Sequence, residues 1–336
     1  MRICVVGTGA IGGFLGANLS VSGQDVSFID KGEQLEAFQK NGLRLITQEG
    51  REHHITKACF TNVYEEAGPQ DYVILAVKAH QIREVAEHLP ALFHTDTSIV
   101  TVQNGIPWWY FKKHGGEFDG LRLESLDPLG VIEKNIESDR IIGCIAYPAA
   151  AVVEPGVIRQ VNGNRFSLGE LDDSGSRRCL DLQKALIEAD FKSYILDDLR
   201  SEIWLKAWGT LSFNPISALT HATLVDICRF PETRALAAKM MREAEEIAGK
   251  IGITFRHTIE RRIAGAEGVG IHKTSMLQDV ESGRTLELEA LVGAILEIAR
   301  MTGTSSPAIE TVYACTKLLN KTFTEANSRI TLLPLS

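Results

Sequence analysis

Residues 2–30 read RICVVGTGAIGGFLGANLSVSGQDVSFID and decide the fold of the N-terminal half. The stretch begins with a short, almost wholly apolar run, which is typical of a strand buried on both faces. A glycine-rich turn, GTGAIGG at residues 7–13, leads into a helical segment, and a second strand at residues 25–29 ends at Asp30. The order strand, glycine turn, helix, strand, acid predicts the first unit of a doubly wound α/β fold.

The glycine turn has the spacing G-x-G-x-x-G, in which each glycine has a separate task. Gly7 permits the tight turn, Gly9 lets the backbone approach a pyrophosphate, and Gly12 lets the helix pack closely on the strand. The helix predicted over residues 14–19 presents free N–H groups at its N-terminus to phosphate oxygens, and Ala10 and Ile11 of the turn are included among the cofactor-binding residues. The turn therefore predicts a dinucleotide site that includes these five residues.

A carboxylate follows the second strand at Asp30, eighteen residues after Gly12. At this distance a carboxylate can accept hydrogen bonds from both hydroxyls of a ribose. The next residue, Lys31, would suit the 2′-phosphate of NADP, whereas Asp30 would repel it. The pair favours NAD as the cofactor and leaves NADP open.

Composition limits the class of protein. A chain of 336 residues suits two domains, and 44% hydrophobic with 23% charged residues is typical of a globular protein. The net charge of −8 argues against a nucleic-acid or anionic-membrane partner. No apolar run approaches the roughly 20 residues that a membrane span needs, and no signal-peptide pattern is present. Six scattered cysteines without a C-x-x-C motif favour reduced thiols and a cytoplasmic location.

Two later strands, predicted at residues 71–77 and 98–103, place polar side chains at their carboxyl ends. Lys78 follows the first of them and Asn104 the second. Since ligands of open parallel sheets collect at this edge, both residues are expected to reach the dinucleotide. The strand pattern ends near residue 197 and long helices follow, which predicts a dinucleotide-binding domain over 1–197 and a helical substrate domain over 198–336.

Residues 107–128 are interpreted as an insertion or flap that begins with Pro107 and three aromatic residues. Trp108, Trp109 and Tyr110 could line a substrate pocket or anchor a loop, and the anchoring alternative is slightly favoured. If they line a pocket, they indicate a bulky or aromatic substrate.

Lys206, Thr210 and Asn214 recur at i, i+4 and i+8, so they share one helix face, with Trp204 and Trp208 beside the lysine. Because Pro215 follows, helices are expected at 200–211 and again from 215. A lysine with its aliphatic stem on apolar surface would have the same pattern. From the residues alone this structural explanation is favoured.

Two further polar groups lie in the helical half. Ser275, in KTSMLQD, is a substrate contact or a helix N-cap, and Arg284 and Glu287 are a site or a surface ion pair at a helix start. The adjacent His53 and His54 fall on a predicted edge strand, where neighbours face opposite ways, so no metal site is predicted.

Several motifs together resemble the ketopantoate reductase family over roughly residues 1–320. In chain order these are the G-x-G-x-x-G turn, Ala76-Val77-Lys78, Gln103-Asn104-Gly105, Glu202-x-x-x-Lys206 with Asn214-Pro215, and Ser275-Met276-Leu277-Gln278-Asp279 with Glu287. The resemblance implies a Rossmann-type α/β domain joined to an all-α domain, with the active site in the cleft between them.

The resemblance also implies a role for each matching residue. Lys206 falls on the catalytic lysine and Glu287 on the glutamate that assists it. Asn104 falls on the asparagine that contacts nicotinamide and the lysine, and Lys78 on a cofactor-side lysine. Asn214 and Ser275 fall on substrate contacts, with Ser275 directed towards the carboxylate.

These residue types suit the reduction of a 2-oxo acid. Hydride arriving at C2 turns the carbonyl oxygen into a developing alkoxide, which an ammonium group stabilises and protonates without a metal. At position 210, where the family usually has asparagine, this chain has threonine, which puts ketopantoate itself in doubt.

The sequence therefore predicts an NAD(P)-dependent reductase of a small 2-oxo acid. The alternative is an authentic NADPH-dependent 2-dehydropantoate 2-reductase of pantothenate biosynthesis. A dinucleotide sensor without catalysis is disfavoured because the lysine, glutamate, serine and both asparagines are present. The oligomeric state stays open, with a homodimer as one option.

Overall fold

The computed structural model describes residues 1–332, which form two compact units. The first, here called the sheet unit, comprises Met1–Gln103 and Trp108–Leu199. The second, the helical unit, comprises Asn104–Pro107 and the chain from Arg200 onwards. The predicted α/β fold with an all-α second part is confirmed.

The described residues contain twelve strands, all in the sheet unit. In chain order they are β1 (Arg2–Val6), β2 (Asp25–Ile29), β3 (Leu43–Ile46), β4 (Glu52–Ile55), β5 (Cys59–Thr61), β6 (Tyr72–Leu75), β7 (Ser98–Thr101), β8 (Ile141–Ala146), β9 (Ala149–Glu154), β10 (Val157–Asn162), β11 (Arg165–Glu170) and β12 (Lys192–Ile195).

The main sheet has eight strands in the order β12-β11-β8-β7-β6-β1-β2-β5. The strands from β5 to β8 in this order are parallel, β11 runs antiparallel to β8, and β12 is parallel to β11. The chain leaves β1 towards β2 and β5, then returns to place β6 on the other side of β1. This reversal creates the crevice at the carboxyl ends of β1 and β6 where open α/β sheets bind ligands.

The helices with α geometry number thirteen in the described residues. They are α1 (Ala10–Val21), α2 (Gly32–Asn41), α3 (Tyr64–Ala67), α4 (Ile82–Ala86), α5 (Val131–Asn135), α6 (Arg177–Glu188), α7 (Leu199–Thr220), α8 (Leu224–Arg229), α9 (Pro231–Lys250), α10 (Ile259–Gly268), α11 (Ser275–Ser282), α12 (Ala294–Met301) and α13 (Pro307–Glu325).

A second sheet, in the order β4-β3-β10-β9, was not predicted. Helix α1 lies between the two sheets, because a Cβ at Gly13 would lie 2.7 Å from Ile158 Cγ1, and one at Gly16 would lie 3.0 Å from Val5 Cγ2. Ile158 belongs to β10 of the small sheet, and Val5 belongs to β1 of the main one. The small residues of α1 thus let two sheets pack on one helix.

Helix α7 continues through Pro215, where the sequence predicts a break. Proline in a helix interior removes a hydrogen bond and costs about 3 kcal/mol. Every residue from Leu211 to Ala218 is buried, so packing on both sides of the proline offsets the local cost. Residues 206, 210 and 214 therefore lie on one continuous helix.

The aromatic residues after Pro107 are buried in the sheet unit. Trp108, Trp109 and Tyr110 have 5%, 2% and 0% of their surface exposed. Trp109 Nε1 donates to Thr101 Oγ1 at 3.1 Å, and a Cβ at Gly143 would lie 2.9 Å from its ring. These contacts support the anchoring alternative for the aromatic segment, and the pocket for an aromatic substrate stays an untested prediction.

The C-terminal segment is partly helical and contacts α11. Helix α13 continues to Glu325, and beyond it Ile330 N donates to Val280 O at 3.3 Å. The part of the tail at 333–336 lies outside the described residues. Among residues 1–332 no helix is both long and apolar enough to span a membrane.

Candidate active site

The glycine turn after β1 has the geometry that its spacing predicts. Gly7 has φ +92°, and a Cβ there would lie 2.6 Å from Val77 N. A Cβ at Gly12 would lie 2.8 Å from Ala76 Cβ, so helix α1 approaches the end of β6 closely. Gly9 is exposed and has open space beside it, since nothing lies within 4 Å of a Cβ there. The two packed glycines shape the turn, and Gly9 leaves room for a ligand.

The N-terminus of α1 has the properties of a phosphate site. Gly9 is its N-cap and provides no capping side chain. The N–H groups at the start of the helix, including those of Ala10 and Ile11, have no intrahelical acceptor. Both residues are half-buried. This donor set fits the pyrophosphate of a dinucleotide, which these residues would hold.

Asp30 is held beside the glycine turn by two backbone groups. Its carboxylate accepts from Thr8 N at 2.7 Å and from Lys31 N at 2.8 Å. Burial raises the pKa of Asp30, and these two N–H donors partly oppose that rise. Each carboxylate oxygen keeps a second lone pair, so the group can still accept from a ribose diol.

The two lysines predicted on the cofactor side differ in their surroundings. Lys31 Nζ lies 3.1 Å from Glu84 Oε2, in an ion pair that is largely exposed. Lys78 is half-buried and follows Val77, whose N lies against the glycine turn. The structure therefore places Lys78 next to the turn, and it shows Lys31 with a carboxylate partner that the sequence did not indicate.

Asn104 belongs to the helical unit although β7 precedes it closely. Gln103 Nε2 donates to Leu75 O at 2.7 Å and to Val77 O at 3.1 Å, which ties residue 103 to the sheet unit. The following residues, Asn104–Pro107, pack with the helical unit. The chain thus carries Asn104 to the unit that contains Lys206 and Glu287.

A π-helical turn at Glu289–Gly293 receives this loop. Ala294 N donates to Glu289 O, five residues back, so the hydrogen-bond register shifts and one carbonyl is displaced from the regular helix ladder. Ile106 N donates to Ala290 O at 2.9 Å. Gly105, with φ +85°, lies so close that a Cβ would be 2.5 Å from the Ala290 carbonyl carbon. The π turn therefore anchors the Asn104 loop.

Glu287 lies just before this turn. The helical segment that follows begins at Leu288, and Glu287 O accepts from Leu291 N at 3.1 Å. The sequence suggested an ion pair between Arg284 and Glu287. In the structure Arg284 Nε donates instead to Asp279 Oδ1, at 2.9 Å. Glu287 thus ends a segment without regular secondary structure and directly precedes the helix that anchors the Asn104 loop.

Helix α7 carries the predicted lysine on a half-buried face. Lys206 and Thr210 are partly exposed, whereas Asn214 is only 7% exposed. The tryptophans do not surround the lysine as the sequence suggested, because residues two positions away lie about 200° around a helix. Both are fully buried on the opposite side, where Trp208 Nε1 donates to Met241 O at 2.7 Å.

Asn214 and Ser275 are brought together, as their predicted role requires. Asn214 Nδ2 donates to Ser275 Oγ at 3.4 Å. Ser275 is exposed and is not the helix cap, since Thr274 Oγ1 accepts from Leu277 N and caps α11. The N-cap explanation of Ser275 is therefore wrong, and its hydroxyl is available at the end of the α7 face.

Sequence reasoning missed two elements of this region. One is the docking of Gly105 and Ile106 on Ala290, for which the only sequence signal is the glycine after Asn104. The other is Arg262 of α10, whose guanidinium lies against α7 at Gly209. In residues 1–332 no group of three His, Cys, Asp or Glu side chains is arranged to hold a metal.

The fold and these residues together define a dinucleotide-dependent oxidoreductase with a lysine on its helical unit. Comparison with known families identifies which one. The model of the family described as ketopantoate reductase PanE/ApbA matches residues 3–173, and that of its C-terminal region matches 198–320. The chain belongs to the ketopantoate reductase family, and it is an oxidoreductase that acts on a CH–OH group with a nicotinamide cofactor.

Individual relatives agree with this assignment. A 2-dehydropantoate 2-reductase from Mesorhizobium japonicum is 47% identical over 320 residues, covering 95% of this chain and 98% of that protein. The crystal structure of a ketopantoate reductase-like protein from Ralstonia solanacearum superposes with a TM-score of 0.91 at 36% identity, covering 96% and 98% of the two chains. A D-mandelate dehydrogenase solved with NADH and anilino(oxo)acetate shares the fold, with a TM-score of 0.83 at 21% identity, covering 98% of this chain and 100% of that one.

Proposed function

We propose that this chain is a 2-dehydropantoate 2-reductase, which reduces the 2-oxo group of ketopantoate to the hydroxyl of pantoate. The observation that carries the proposal is the 47% identity to the Mesorhizobium japonicum enzyme over 95% of the chain. It favours the alternative that the sequence analysis had placed second. The geometry supports it, since Lys206, Thr210 and Asn214 share one face of α7 and Asn214 contacts Ser275.

In this proposal one unit binds the dinucleotide and the other binds the substrate. Residues 1–197 hold the dinucleotide, with the turn at Gly7, Gly9 and Gly12 on the pyrophosphate and Asp30 on the ribose. The region 198–336 holds the substrate, and Asn104 adds to it through its loop. The observed units differ from these expected bounds by assigning residues 198 and 199 to the sheet unit and 104–107 to the helical one. The bound cofactor supplies the hydride.

Lys206 acts on the oxygen that becomes an alkoxide. Its ammonium group stabilises the developing negative charge and donates the proton that completes the hydroxyl. Glu287 assists by holding the lysine and accepting from the product hydroxyl. Asn104 is positioned by the contact of its loop with Ala290, so that its amide can orient both the lysine and the nicotinamide.

The cofactor is proposed to be NAD, with NADP as the weaker alternative. Asp30 suits a free ribose diol, and the ion pair of Lys31 with Glu84 reduces the positive charge offered to a 2′-phosphate. Asp30→Ala should narrow or reverse the preference, by about 1–3 kcal/mol for one charged contact. A wild-type preference for NADPH of tenfold or more in kcat/KM would contradict the proposal.

Thr210 is the residue that bears on the substrate alternative. Its hydroxyl donates to Ala207 O at 3.1 Å, so its proton is engaged within the helix. An asparagine at this position would present an amide, and its absence is the observation that favours a 2-oxo acid other than ketopantoate. Thr210→Asn should improve the turnover of ketopantoate if the amide is what this site lacks.

A substrate panel tests the function directly. Ketopantoate and a series of aliphatic and aromatic 2-oxo acids are supplied with NADH and with NADPH, and the loss of nicotinamide absorbance is followed. Ketopantoate should be reduced with kcat/KM of about 10⁴–10⁶ M⁻¹s⁻¹, within the ordinary range of enzymes. A hundredfold preference for another 2-oxo acid would refute the assignment and support the alternative.

The thiols bear on where the reaction takes place. Cys4, Cys144, Cys179 and Cys228 are buried, and none of the six cysteines forms a disulfide. Free thiols in this number fit a reducing compartment, so we place the enzyme in the cytoplasm. Localisation of a tagged chain by cell fractionation tests this placement.

A further inference from the structure

Helix α13 contacts the chain on both sides of Glu287. Leu286, the residue before it, is 3% exposed, and its backbone N–H donates to Asn320 Oδ1 at 3.0 Å. Glu289, two residues after it, accepts from the hydroxyl of Tyr313 at 2.9 Å. Residues 313 and 320 are i and i+7, so they lie on the same face of α13. One helix face therefore holds the chain before and after Glu287.

The carboxylate of Glu289 has further restraints. Lys317 Nζ lies 3.0 Å from Glu289 Oε1 and 2.7 Å from the hydroxyl oxygen of Tyr313. A Cβ at Gly293 would overlap Glu289 Oε2, so the carboxylate folds back over a position that has no side chain. Burial raises the pKa of Tyr313, which keeps the phenol protonated and able to donate at neutral pH. Because the ion pair with Lys317 is largely exposed and such pairs contribute little, the tyrosine is the main restraint.

Glu289 is also the first residue of the π turn that receives the Asn104 loop. The next residue, Ala290, carries the carbonyl that accepts from Ile106 N. A restraint on Glu289 therefore acts in two directions, back towards Glu287 and forward to the loop of Asn104.

Helix α13 is itself anchored at its first turn and beyond its end. Glu243 of α9 is 7% exposed and accepts from Ala308 N at 3.0 Å and from Ile309 N at 2.9 Å. A carboxylate at this end of a helix satisfies free N–H groups and suits the helix dipole. After the helix, Ile330 N donates to Val280 O of α11. Helix α13 is therefore a fixed support for the segment around Glu287.

We propose that Asn320 and Tyr313 are positioning residues that hold Glu287 where it assists Lys206. This inference rests on the function proposed above. Asn320 fixes the backbone before Glu287, and Tyr313 fixes the backbone after it through Glu289. Since a misplacement of about 1 Å can cost a hundredfold in turnover, the loss of either hydrogen bond should lower kcat.

The test measures kcat, the KM for the 2-oxo acid, the dissociation constant of NADH and the melting temperature for Asn320→Ala, Asn320→Asp and Tyr313→Phe. Asn320→Ala and Tyr313→Phe should each lower kcat by roughly 5- to 50-fold, with KM and NADH affinity changed by less than about threefold. Asn320→Asp keeps an oxygen that can accept from Leu286 N, so it should retain at least about a third of the wild-type kcat.

Coupling to Glu287 separates positioning from general stabilisation. In a Glu287→Ala background, Asn320→Ala and Tyr313→Phe should each lower kcat further by less than about twofold, because the group that they position is gone. Thr322→Ala is the matched control and should leave kcat unchanged. Thr322 is exposed, its hydroxyl donates to Leu318 O of the same helix, and it lies about 180° around α13 from Tyr313.

Hydrogen exchange gives a readout that does not depend on turnover. Asn320→Ala and Tyr313→Phe should speed amide exchange over residues 284–293 by at least about fivefold, because this segment opens locally once its side-chain partners are removed. Exchange in α9 should stay as in the wild type, and Thr322→Ala should leave both regions unchanged.

Four results would each overturn the inference. They are wild-type kcat in both Asn320→Ala and Tyr313→Phe, equal losses with and without Glu287, a loss in Asn320→Asp as large as that in Asn320→Ala, and unchanged exchange over residues 284–293. Wild-type turnover in Glu287→Ala alone would also overturn it, since there would be no group to position.

The result can be separated from the proposed function. If the wild type reduces another 2-oxo acid instead of ketopantoate, the functional assignment fails, and the same series is run with that acid. The same pattern of losses is still expected, because the inference concerns the position of Glu287. If no 2-oxo acid is reduced, the proposed function fails and the exchange experiment decides whether α13 holds the segment around Glu287.

Discussion

Lys206 is the residue on which the proposed chemistry depends. It is partly exposed on α7, while Trp204 and Trp208 are fully buried on the opposite side of the helix. The stack of Trp208 on Phe255, with ring centroids 4.2 Å apart, holds α7 in place. The helix is thus fixed by one side and offers its lysine on the other, which is what a positioned acid requires.

Replacement of this lysine should affect turnover far more than binding. Lys206→Ala is expected to lower kcat by about 10²–10⁴-fold, because the alkoxide loses its stabilising charge and proton donor. The dissociation constant of NADH should change little, since the dinucleotide contacts assigned here lie around Gly9 and Asp30. Steady-state kinetics and fluorescence titration of NADH on one preparation measure both quantities.

A matched control is available on α9. Lys239 is exposed in the same helical unit, and Lys239→Ala should leave kcat unchanged. Glu287→Ala should show a loss related to that of Lys206→Ala, and the double variant should lose less than the sum if the two act as a unit. A folded Lys206→Ala protein with wild-type turnover would end the catalytic assignment.

At the scale of elements, the π turn links the Asn104 loop to the start of the helix after Glu287. Single π turns inside α-helices occur often at functional sites. Here the carbonyl of Ala290, within the π turn, accepts from Ile106 N, and Gly105 fits against it. The arrangement couples the position of Asn104 to that of Glu287 through one backbone contact.

Gly105→Ala should disrupt this contact. A Cβ would lie 2.5 Å from the Ala290 carbonyl carbon, at a positive φ that alanine adopts poorly. We expect kcat to fall by at least about tenfold, on the scale at which displaced positioning groups affect catalysis. Gly252→Ala is the control, since Gly252 has the same φ of +85° and open space around it. Equal kinetics for the two variants would show that the docking contact does not matter.

Trp109 tests the role of the aromatic segment. It is 2% exposed, and its indole donates to Thr101 Oγ1. Trp109→Ala should lower the free energy of unfolding by about 3–5 kcal/mol, the usual cost of truncating a buried aromatic residue. The KM for 2-oxo acids should be unchanged in the protein that remains folded, as chemical denaturation and kinetics would show. A changed substrate preference without loss of stability would support the pocket alternative.

At the scale of the whole molecule, the chain passes between the two compact units three times, after residue 103, after residue 107 and after residue 199. The dinucleotide residues lie in the first unit and the proposed catalytic lysine in the second. A ligand that binds the native state stabilises it by about 2.7 kcal/mol at a hundred times its dissociation constant. Because the proposed contacts lie in the sheet unit, bound NADH should slow amide exchange more in that unit than in the helical unit.

Hydrogen exchange measures this difference. With NADH at saturation, the slowing of amide exchange should be strongest at the β1–α1 turn and the first turns of α1. Lys206→Ala should show the same pattern, because the lysine lies outside the proposed dinucleotide contacts. Protection centred on α7 or α11 would contradict the assignment of dinucleotide binding to the sheet unit.

Much of the sheet unit could be predicted from the sequence because its signals are local. The apolar run of β1, the glycine spacing and the acid after β2 occupy thirty adjacent residues, and the observed turn has the geometry that this spacing requires. The recurrence of Lys206, Thr210 and Asn214 along one helix face is local in the same sense. The family motifs added roles that the spacing alone left open.

By itself, then, the sequence determined the dinucleotide fold, the helical second part and the family, because glycine geometry, apolar periodicity and short motifs depend on neighbouring residues. Only the tertiary structure decided that β3 pairs with β10, that α7 continues through Pro215, and that Arg262 lies over Gly209. It also decided that the Asn104 loop docks on Ala290. Each of these depends on packing between segments far apart in the chain, where burial outweighs local propensity.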